Sequence, residues 1–183
     1  MTVDEQRRVL ARRFAALAGL GAVGAMMLTA CSGGQSDDEL IDMSIPMNDG
    51  TYTGQSNADE QGAVGTVTIT VAGGRITEAS YETVESDGTV KDENYGKDGS
   101  GQVANQDYYR RAQAAVASYE QYSAKLVEVQ DPTAVDTVSG ATVAHSQFLQ
   151  ASLRAVYQAQ GVADDGRADT VAMPGLGLED EDY

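Results

Sequence analysis

The residues best suited to chemistry lie in one short run, DTVSGAT, from Asp136 to Thr142. Gly140 permits an unusual backbone angle, and its small neighbours let a bulky group approach the backbone. The run precedes a predicted helix, whose N-terminal amide groups favour a phosphate. The hydroxyl of Thr142 stands in that anion site, where a phosphate could become attached to it. The alternative is ordinary helix capping by Ser139 or Thr142.

Two predicted helices flank this run. The first covers about residues 105–126, starts at a cap formed by Asn105 or Asp107, and carries a stripe at helical spacing: Tyr108, Ala112, Ala115, Val116, Tyr119 and Tyr122. This stripe faces the core or, alternatively, stacks on a flavin or a sugar. The second helix runs from Thr142 to about Ala159, with Phe148, Leu149, Ser152, Leu153 and Val156 on its inner face.

The strand signals come before these helices. Val67, Ile69 and Val71 alternate with threonines, which indicates a half-buried strand. A Gly73-Gly74 turn and a returning strand over 75–84 complete a hairpin. The β-branched segment 126–138 is predicted to be a third strand or strand-like crossing. The expected fold is therefore α+β: a single small domain with an antiparallel sheet and two helices packed on one side.

Composition sets the domain boundaries. Residues 31–48 are polar and aperiodic, which predicts a flexible tether, and residues 161–183 are Gly-rich and acidic, which predicts a disordered tail. The remaining residues, 49–160, have the size of one domain. Within them, the charged and Gly-rich stretch 85–104 is predicted to be a long functional loop.

Charge and residue counts exclude several classes of function. The chain has a net charge of −16, and its first thirty residues carry four arginines and two acidic residues, so the rest has a net charge of −18. Such a surface repels nucleic acid, which we exclude as a partner. The chain has one cysteine and one histidine, so an intrachain disulfide is impossible and a metal site is not expected. The histidine, His145, is expected on the surface of the second helix.

The N-terminus has the pattern of a secretory signal. Four arginines precede an apolar run from Phe14 to Leu28, which is too short to cross a membrane comfortably. The run ends Leu28-Thr29-Ala30-Cys31, which resembles the lipobox of bacterial lipoproteins. The resemblance implies a signal peptide over residues 1–30, cleavage before Cys31 and a diacylglycerol thioether on its sulfur. The expected location is the extracytoplasmic face of the cell membrane, and the choice between Sec and Tat export stays open.

The run from Asp136 to Thr142 resembles the flavinylation motif of FMN-binding domains: Asp, two variable residues, Ser-Gly-Ala, then Thr or Ser. These domains occur in the C and G subunits of sodium-translocating quinone reductase and Rnf complexes, and in lipoproteins of flavin-based extracellular electron transfer. The upstream segments DGTYTGQS and GTVTITVAGGRITEASYETV are similar to the usual opening of the domain. The resemblance therefore spans about residues 49–160.

This resemblance implies a cofactor and a set of site residues. Thr142 would carry FMN through a phosphoester, attached by a separate transferase that uses FAD and magnesium and releases AMP. Asp136 matches the aspartate of the motif, which the transferase reads or which orients the acceptor. Ser139, Gly140 and Ala141 would form the tight loop that admits the flavin donor.

We expect an electron carrier rather than an enzyme with its own substrate, with redox proteins or a quinone-linked membrane donor as partners. The acidic surface should lower the flavin potential. Two alternatives stay open: an accessory flavin subunit of a reductase, and a non-redox binding or structural lipoprotein whose corner is only a capped helix.

Overall fold

A computed structural model describes residues 40–175 of the chain. The predicted signal peptide, Cys31 and the first part of the tether lie outside this range, as do residues 176–183. The elements, in chain order, are β1 (Gly50–Gln55), β2 (Val64–Ala72), β3 (Arg75–Val84), α1 (Gln106–Val129) and α2 (Thr142–Gln160), with short 3₁₀ helices at Pro132–Ala134 and Arg167–Thr170. Neither α1 nor α2 is long and apolar enough to cross a membrane.

The three strands form an antiparallel sheet in the order β1-β2-β3. The hairpin predicted around Gly73 and Gly74 is confirmed: both glycines have positive φ, 61° and 72°, and Ala72 pairs with Arg75. A turn with two positive φ angles matches the right-handed twist of the strands that it joins.

The core lies between one face of the sheet and the two helices. The alternation along β2 places Val67, Ile69 and Val71 inside, with at most 2% of each exposed. α1 packs mainly on β3, and α2 packs on β1 and β2. Aromatic and aliphatic residues of both helices fill the layer: Tyr119, Tyr122, Leu126, Phe148, Leu153 and Val156. The predicted α+β fold is confirmed.

The segment 126–138, predicted to be a strand or strand-like crossing, forms no strand. α1 continues to Val129 and ends at Gln130, whose left-handed φ of 67° turns the chain while its amide bonds to the Leu126 carbonyl. Asp131 then caps the 3₁₀ turn that begins at Pro132. The β-branched residues of this segment therefore serve the end of a helix and a crossing, with no strand beside them to pair with.

The third strand of the sheet is β1, and Gly54 allows it to lie directly against α2. A Cβ built on Gly54 would lie 2.1 Å from the carbonyl oxygen of Ala151 and 2.6 Å from the amide nitrogen of Ala155. The backbone of α2 thus rests directly on β1. Any larger residue at this position would have to push the helix off the sheet.

The folded region is wider than the predicted boundaries of 49–160. Ile41 and Ala168 are both buried, with 6% and 0% exposed. The Asn48 amide donates to the Ala159 carbonyl at 2.8 Å, and the Gln160 side chain donates to the Asp42 carbonyl at 2.9 Å. The tether and tail predictions are therefore corrected at residues 40–48 and 161–171, which pack around the end of α2. The stretch 85–104 is a loop without a helix or a strand of its own, as expected.

Candidate functional site

The run singled out in the sequence forms a tight corner before α2. The Ala141 amide donates to the Val138 carbonyl at 3.0 Å, which closes a four-residue turn. Gly140 lies within this turn with φ of 80°, and a Cβ there would meet no atom within 4 Å. Glycine is thus required by the backbone conformation rather than by crowding. The helix begins immediately afterwards, at Thr142.

The alternative interpretation of the run, capping of α2 by the side chain of Ser139 or Thr142, is wrong. The N-cap position belongs to Ala141, and no side chain caps the helix. Thr142 occupies the first helical position and is exposed. Its hydroxyl has no hydrogen-bond partner among the residues that the structure describes. The first amide groups of a helix lack intrahelical partners, so the corner presents an uncapped helix end beside a free hydroxyl.

Two buried tyrosine hydroxyls form hydrogen bonds to the backbone of the corner from the side of the core. Tyr122 accepts a hydrogen bond from the Val138 amide at 3.0 Å and donates to the Ala141 carbonyl at 3.2 Å. Tyr81 donates to the Ala144 carbonyl at 2.9 Å. Burial raises the pKa of both phenols, so both stay protonated at neutral pH. The backbone of the corner is therefore held in one conformation, because its polar atoms bond to side chains of the core.

His145 does not lie free on the helix surface as expected. Its Nε2 atom is 2.7 Å from the carbonyl oxygen of Val135, and its ring packs 5.5 Å from the ring of Tyr122. A carbonyl only accepts, so Nε2 carries the proton in this contact. His145 thus ties the segment before the corner to α2.

A cleft of about 240 Å³ opens beside Thr142. One wall is the start of α2, a second is α1, and the loop 85–104 contributes a tyrosine. The residues that line the cleft are Gln61, Tyr95, Tyr108, Arg111, Ala112, Ala115, Gly140, Ala141, Thr142, Val143, Ala144 and Gly175. Small and aromatic side chains dominate this set, and no carboxylate belongs to it.

The aromatic wall is anchored to a buried ion pair. The Tyr95 and Tyr108 rings meet edge to face, with centroids 6.4 Å apart. The Lys91 ammonium lies 4.6 Å from the Tyr95 ring centroid and 3.5 Å from the Asp59 carboxylate. Lys91 and Asp59 are both almost fully buried, and Asp59 also accepts hydrogen bonds from two backbone amides. Burial raises the pKa of Tyr108 to about 12, so the aromatic wall is neutral.

The structure brings together only part of the predicted site. Gly140, Ala141 and Thr142 line the cleft, while Ser139 is exposed on the turn. Asp136 is exposed and lines a separate depression of about 290 Å³ with Tyr122 and other residues: Gln121, Lys125, Val135, Thr137 and Val138. The aspartate of the motif therefore faces a different part of the surface from the cleft.

The tyrosine stripe of α1 is divided between the core and the cleft, and its stacking on a flavin or a sugar stays a prediction. Tyr119 and Tyr122 are buried in the core, whereas Tyr108, in the first turn of the helix, lines the cleft. Sequence reasoning missed Tyr95 and Arg111. Tyr95 sits in a charged loop with no periodicity, and Arg111 is one of two adjacent arginines, so no local signal distinguishes either residue.

Residues 40–175 contain no group of three or more histidine, cysteine or acidic side chains arranged to hold a metal ion.

The comparisons with known proteins give information on the fold. No protein-family model and no curated protein matches the chain. A crystal structure of the CPE2226 protein from Clostridium perfringens is similar, with 24% identity and a TM-score of 0.51 over 63% of this chain and 90% of that one. A solution NMR structure of a Clostridium thermocellum protein has 30% identity and a TM-score of 0.39 over 64% of this chain and 95% of that one. The similarity to the Clostridium perfringens protein is one of fold.

Proposed function

We propose that this protein is a lipid-anchored, extracytoplasmic electron carrier with FMN attached through a phosphoester to Thr142. The observation that carries the proposal is the state of the Thr142 hydroxyl. It is exposed, free of hydrogen bonds to the described residues, and located at the edge of a cleft. A threonine that capped the helix would bond to a backbone amide, and Thr142 does not.

The residues that line the cleft support the proposal of a flavin there by their chemistry. Tyr95 and Tyr108 offer ring edges and faces, and Ala112 and Ala115 leave room beside them. Its volume lies below the roughly 300–1,000 Å³ that encloses a drug-sized ligand. A flavin held there would keep part of its ring system in solvent. Partial exposure favours electron exchange with another protein, because the two redox groups can come close together.

Attachment requires an accessible acceptor and a donor molecule. In the proposed reaction, a bond forms between Thr142 Oγ1 and the FMN phosphorus of FAD. The pyrophosphate bond breaks, AMP leaves, and the hydroxyl proton is released. The rigid corner presents Oγ1 without rearrangement, and the exposed Asp136 and Ser139 are available for recognition by the transferase. In this proposal, one face of the corner binds the flavin, and the other face contacts the transferase that adds it.

When bound, FMN supplies the electron transfer, and the protein supplies its place and electrostatic surroundings. Covalent attachment prevents loss of the cofactor by dilution outside the cell, because a tethered group keeps a high effective concentration. The proposed anchor, Cys31, lies outside the described residues. The donor is either another redox protein or a quinone-linked membrane complex.

Intact-mass and peptide mass spectrometry of the mature protein test the proposal. Co-expression with an FAD-dependent flavin transferase should add one FMN moiety, mapped to the peptide that contains Thr142. Only one Ser-Gly-Ala-Thr run occurs in the chain, so a phosphate-to-protein ratio near two would contradict a single site. Absence of any added mass beside an active transferase would leave the structural lipoprotein as the better account. Cys31→Ser should release the protein from the membrane without affecting flavin attachment.

A further inference from the structure

We propose that Arg111 is the residue that recognises the phosphate of the flavin in the cleft beside Thr142. The inference deepens the proposed function and rests on the placement of charge around the cleft. Residues 40–175 carry nineteen acidic and eight basic side chains. A cationic group beside Thr142 is therefore the exception on this surface.

Arg111 differs from most of the other basic residues in having no ion-pair partner among the described residues. Five of the eight pair with carboxylates: Lys91, Arg110, Lys125, Arg154 and Arg167. Lys97 donates to the Asn94 side chain. Arg75 and Arg111 make no ion pair with the described residues, and of these two only Arg111 lines the cleft.

The residues that line the cleft therefore carry a charge opposite to that of the whole protein, although the Glu60 carboxylate lies beside one of them, Gly175. Among its lining residues, Arg111 is the one with an ionised side chain, because the tyrosines are neutral. A guanidinium presents several donors in a planar fork that matches phosphate oxygens. The uncapped end of α2, which lines the same cleft, adds amide donors. We infer that a phosphate on Thr142 is contacted by both groups.

This arrangement changes the electrostatic expectation for the bound flavin. The net charge alone suggested an acidic environment that lowers the flavin potential. The cleft instead offers a cation and no carboxylate among its described lining residues. A phosphate that is neutralised by Arg111 would not add a further negative charge next to the flavin ring.

The adjacent arginine provides a matched control. Arg110 precedes Arg111 on α1 but pairs with Asp107 and lines a different depression with Gln106, Tyr109 and Gln113. Arg110→Gln and Arg111→Gln remove the same charge from the same helix. Only Arg111→Gln removes it from the cleft.

Two measurements test the inference. In the first, the full-length protein and both variants are incubated with transferase and FAD, and the initial rate of flavin attachment is measured. Arg111→Gln should slow attachment by about 10- to 100-fold, the range expected when hydrogen bonds to a charged group are lost. Arg110→Gln should match the wild-type rate, and Arg111→Lys should retain part of it.

In the second measurement, non-covalent binding of FMN and riboflavin to Thr142→Ala protein is followed by fluorescence quenching. FMN should bind more tightly than riboflavin, and adding Arg111→Gln should abolish that preference. Equal attachment rates for wild type and Arg111→Gln, together with an unchanged preference, would overturn the role of Arg111. If wild type accepts no flavin, the proposed function fails, and the FMN preference alone then decides whether Arg111 reads a phosphate.

Discussion

The hydroxyl of Tyr122, on α1, lies 3.2 Å from the carbonyl oxygen of Ala141, the residue at the N-cap position of α2. The same hydroxyl accepts the Val138 amide, so one core side chain holds both ends of the turn that precedes Thr142. The Tyr122 ring stacks on Phe148 with centroids 5.2 Å apart. The position of Thr142, the proposed acceptor, is therefore coupled to the packing of the core.

Removing this hydroxyl should loosen the corner. Tyr122→Phe leaves the Val138 amide without its partner and removes one of two hydrogen bonds to the Ala141 carbonyl, which keeps the His145 amide. The loss should lower the free energy of unfolding by about 1–3 kcal/mol. Flavin attachment should slow as well, because Thr142 is no longer held in one place. Chemical denaturation and attachment rates measure the two effects. Tyr109→Phe, which removes an exposed contact to the Glu93 carbonyl, is the control and should change neither.

The buried Lys91–Asp59 pair should be important for stability. Lys91→Met leaves the Asp59 carboxylate buried without its cation, which should cost about 3–5 kcal/mol. Adding Asp59→Asn removes the stranded charge and should recover part of that loss. A double-mutant cycle by urea denaturation measures the coupling. If the two single variants add without coupling, the pair does not act as a unit.

Gly54 should not tolerate a side chain. Gly54→Ala forces a methyl group against the backbone of α2, and overpacking of this kind costs about 1–3 kcal/mol or more. Gly99→Ala is the comparison, because a Cβ there meets no atom within 4 Å and the backbone has no positive φ. Thermal unfolding of both variants tests the contact. Equal stability would mean that α2 does not rest on β1.

The buried tyrosines should make the fold sensitive to alkali. Burial raises the pKa of Tyr81, Tyr119 and Tyr122 above the ordinary value near 10. The folded state therefore disfavours the phenolate. The stability that these tyrosines contribute is complete below about pH 10 and is lost as pH rises above that value, where the unfolded chain ionises first.

Ultraviolet absorbance of the phenolate, recorded with circular dichroism, follows this titration. Of the nine tyrosines, the buried ones should ionise only as the fold is lost. Titration of all nine near pH 10 in a protein that remains folded would contradict their burial.

Sequence periodicity predicted the elements that bury a regular apolar face. The β2–β3 hairpin and both helices follow from alternating or helical spacing, and each is close to its predicted bounds. The sequence did not predict β1, because the inward positions of this strand include Gly54. A glycine is required there by the close approach of α2. The segment 126–138, expected to be a strand or strand-like crossing, is not a strand because β-branched composition does not supply a neighbouring strand. Both errors depend on contacts between residues far apart in sequence.

The candidate site is likewise predicted only in part by the sequence. The local motif identified Gly140, Ala141 and Thr142, because a glycine turn before a helix has a signature of its own. The cleft could not be predicted, since its walls come from α1, α2 and the loop 85–104. The alternative of side-chain capping fails because Ser139 and Thr142 have suitable side chains, while the backbone gives the cap position to Ala141.

Thr142→Ala provides the most direct test of the central claim. Thr142 caps nothing, so the substitution should change stability by no more than about 0.5 kcal/mol, as at an ordinary surface site. Thr142→Ser keeps the oxygen and should retain flavin, and Thr137→Ala removes another exposed hydroxyl from the same segment and should have no effect. The measurement is in-gel fluorescence under blue light after denaturation, with each variant produced beside an active transferase. The account predicts a fluorescent band for wild type, Thr142→Ser and Thr137→Ala, and none for Thr142→Ala. A fluorescent band that persists in folded Thr142→Ala protein would contradict it.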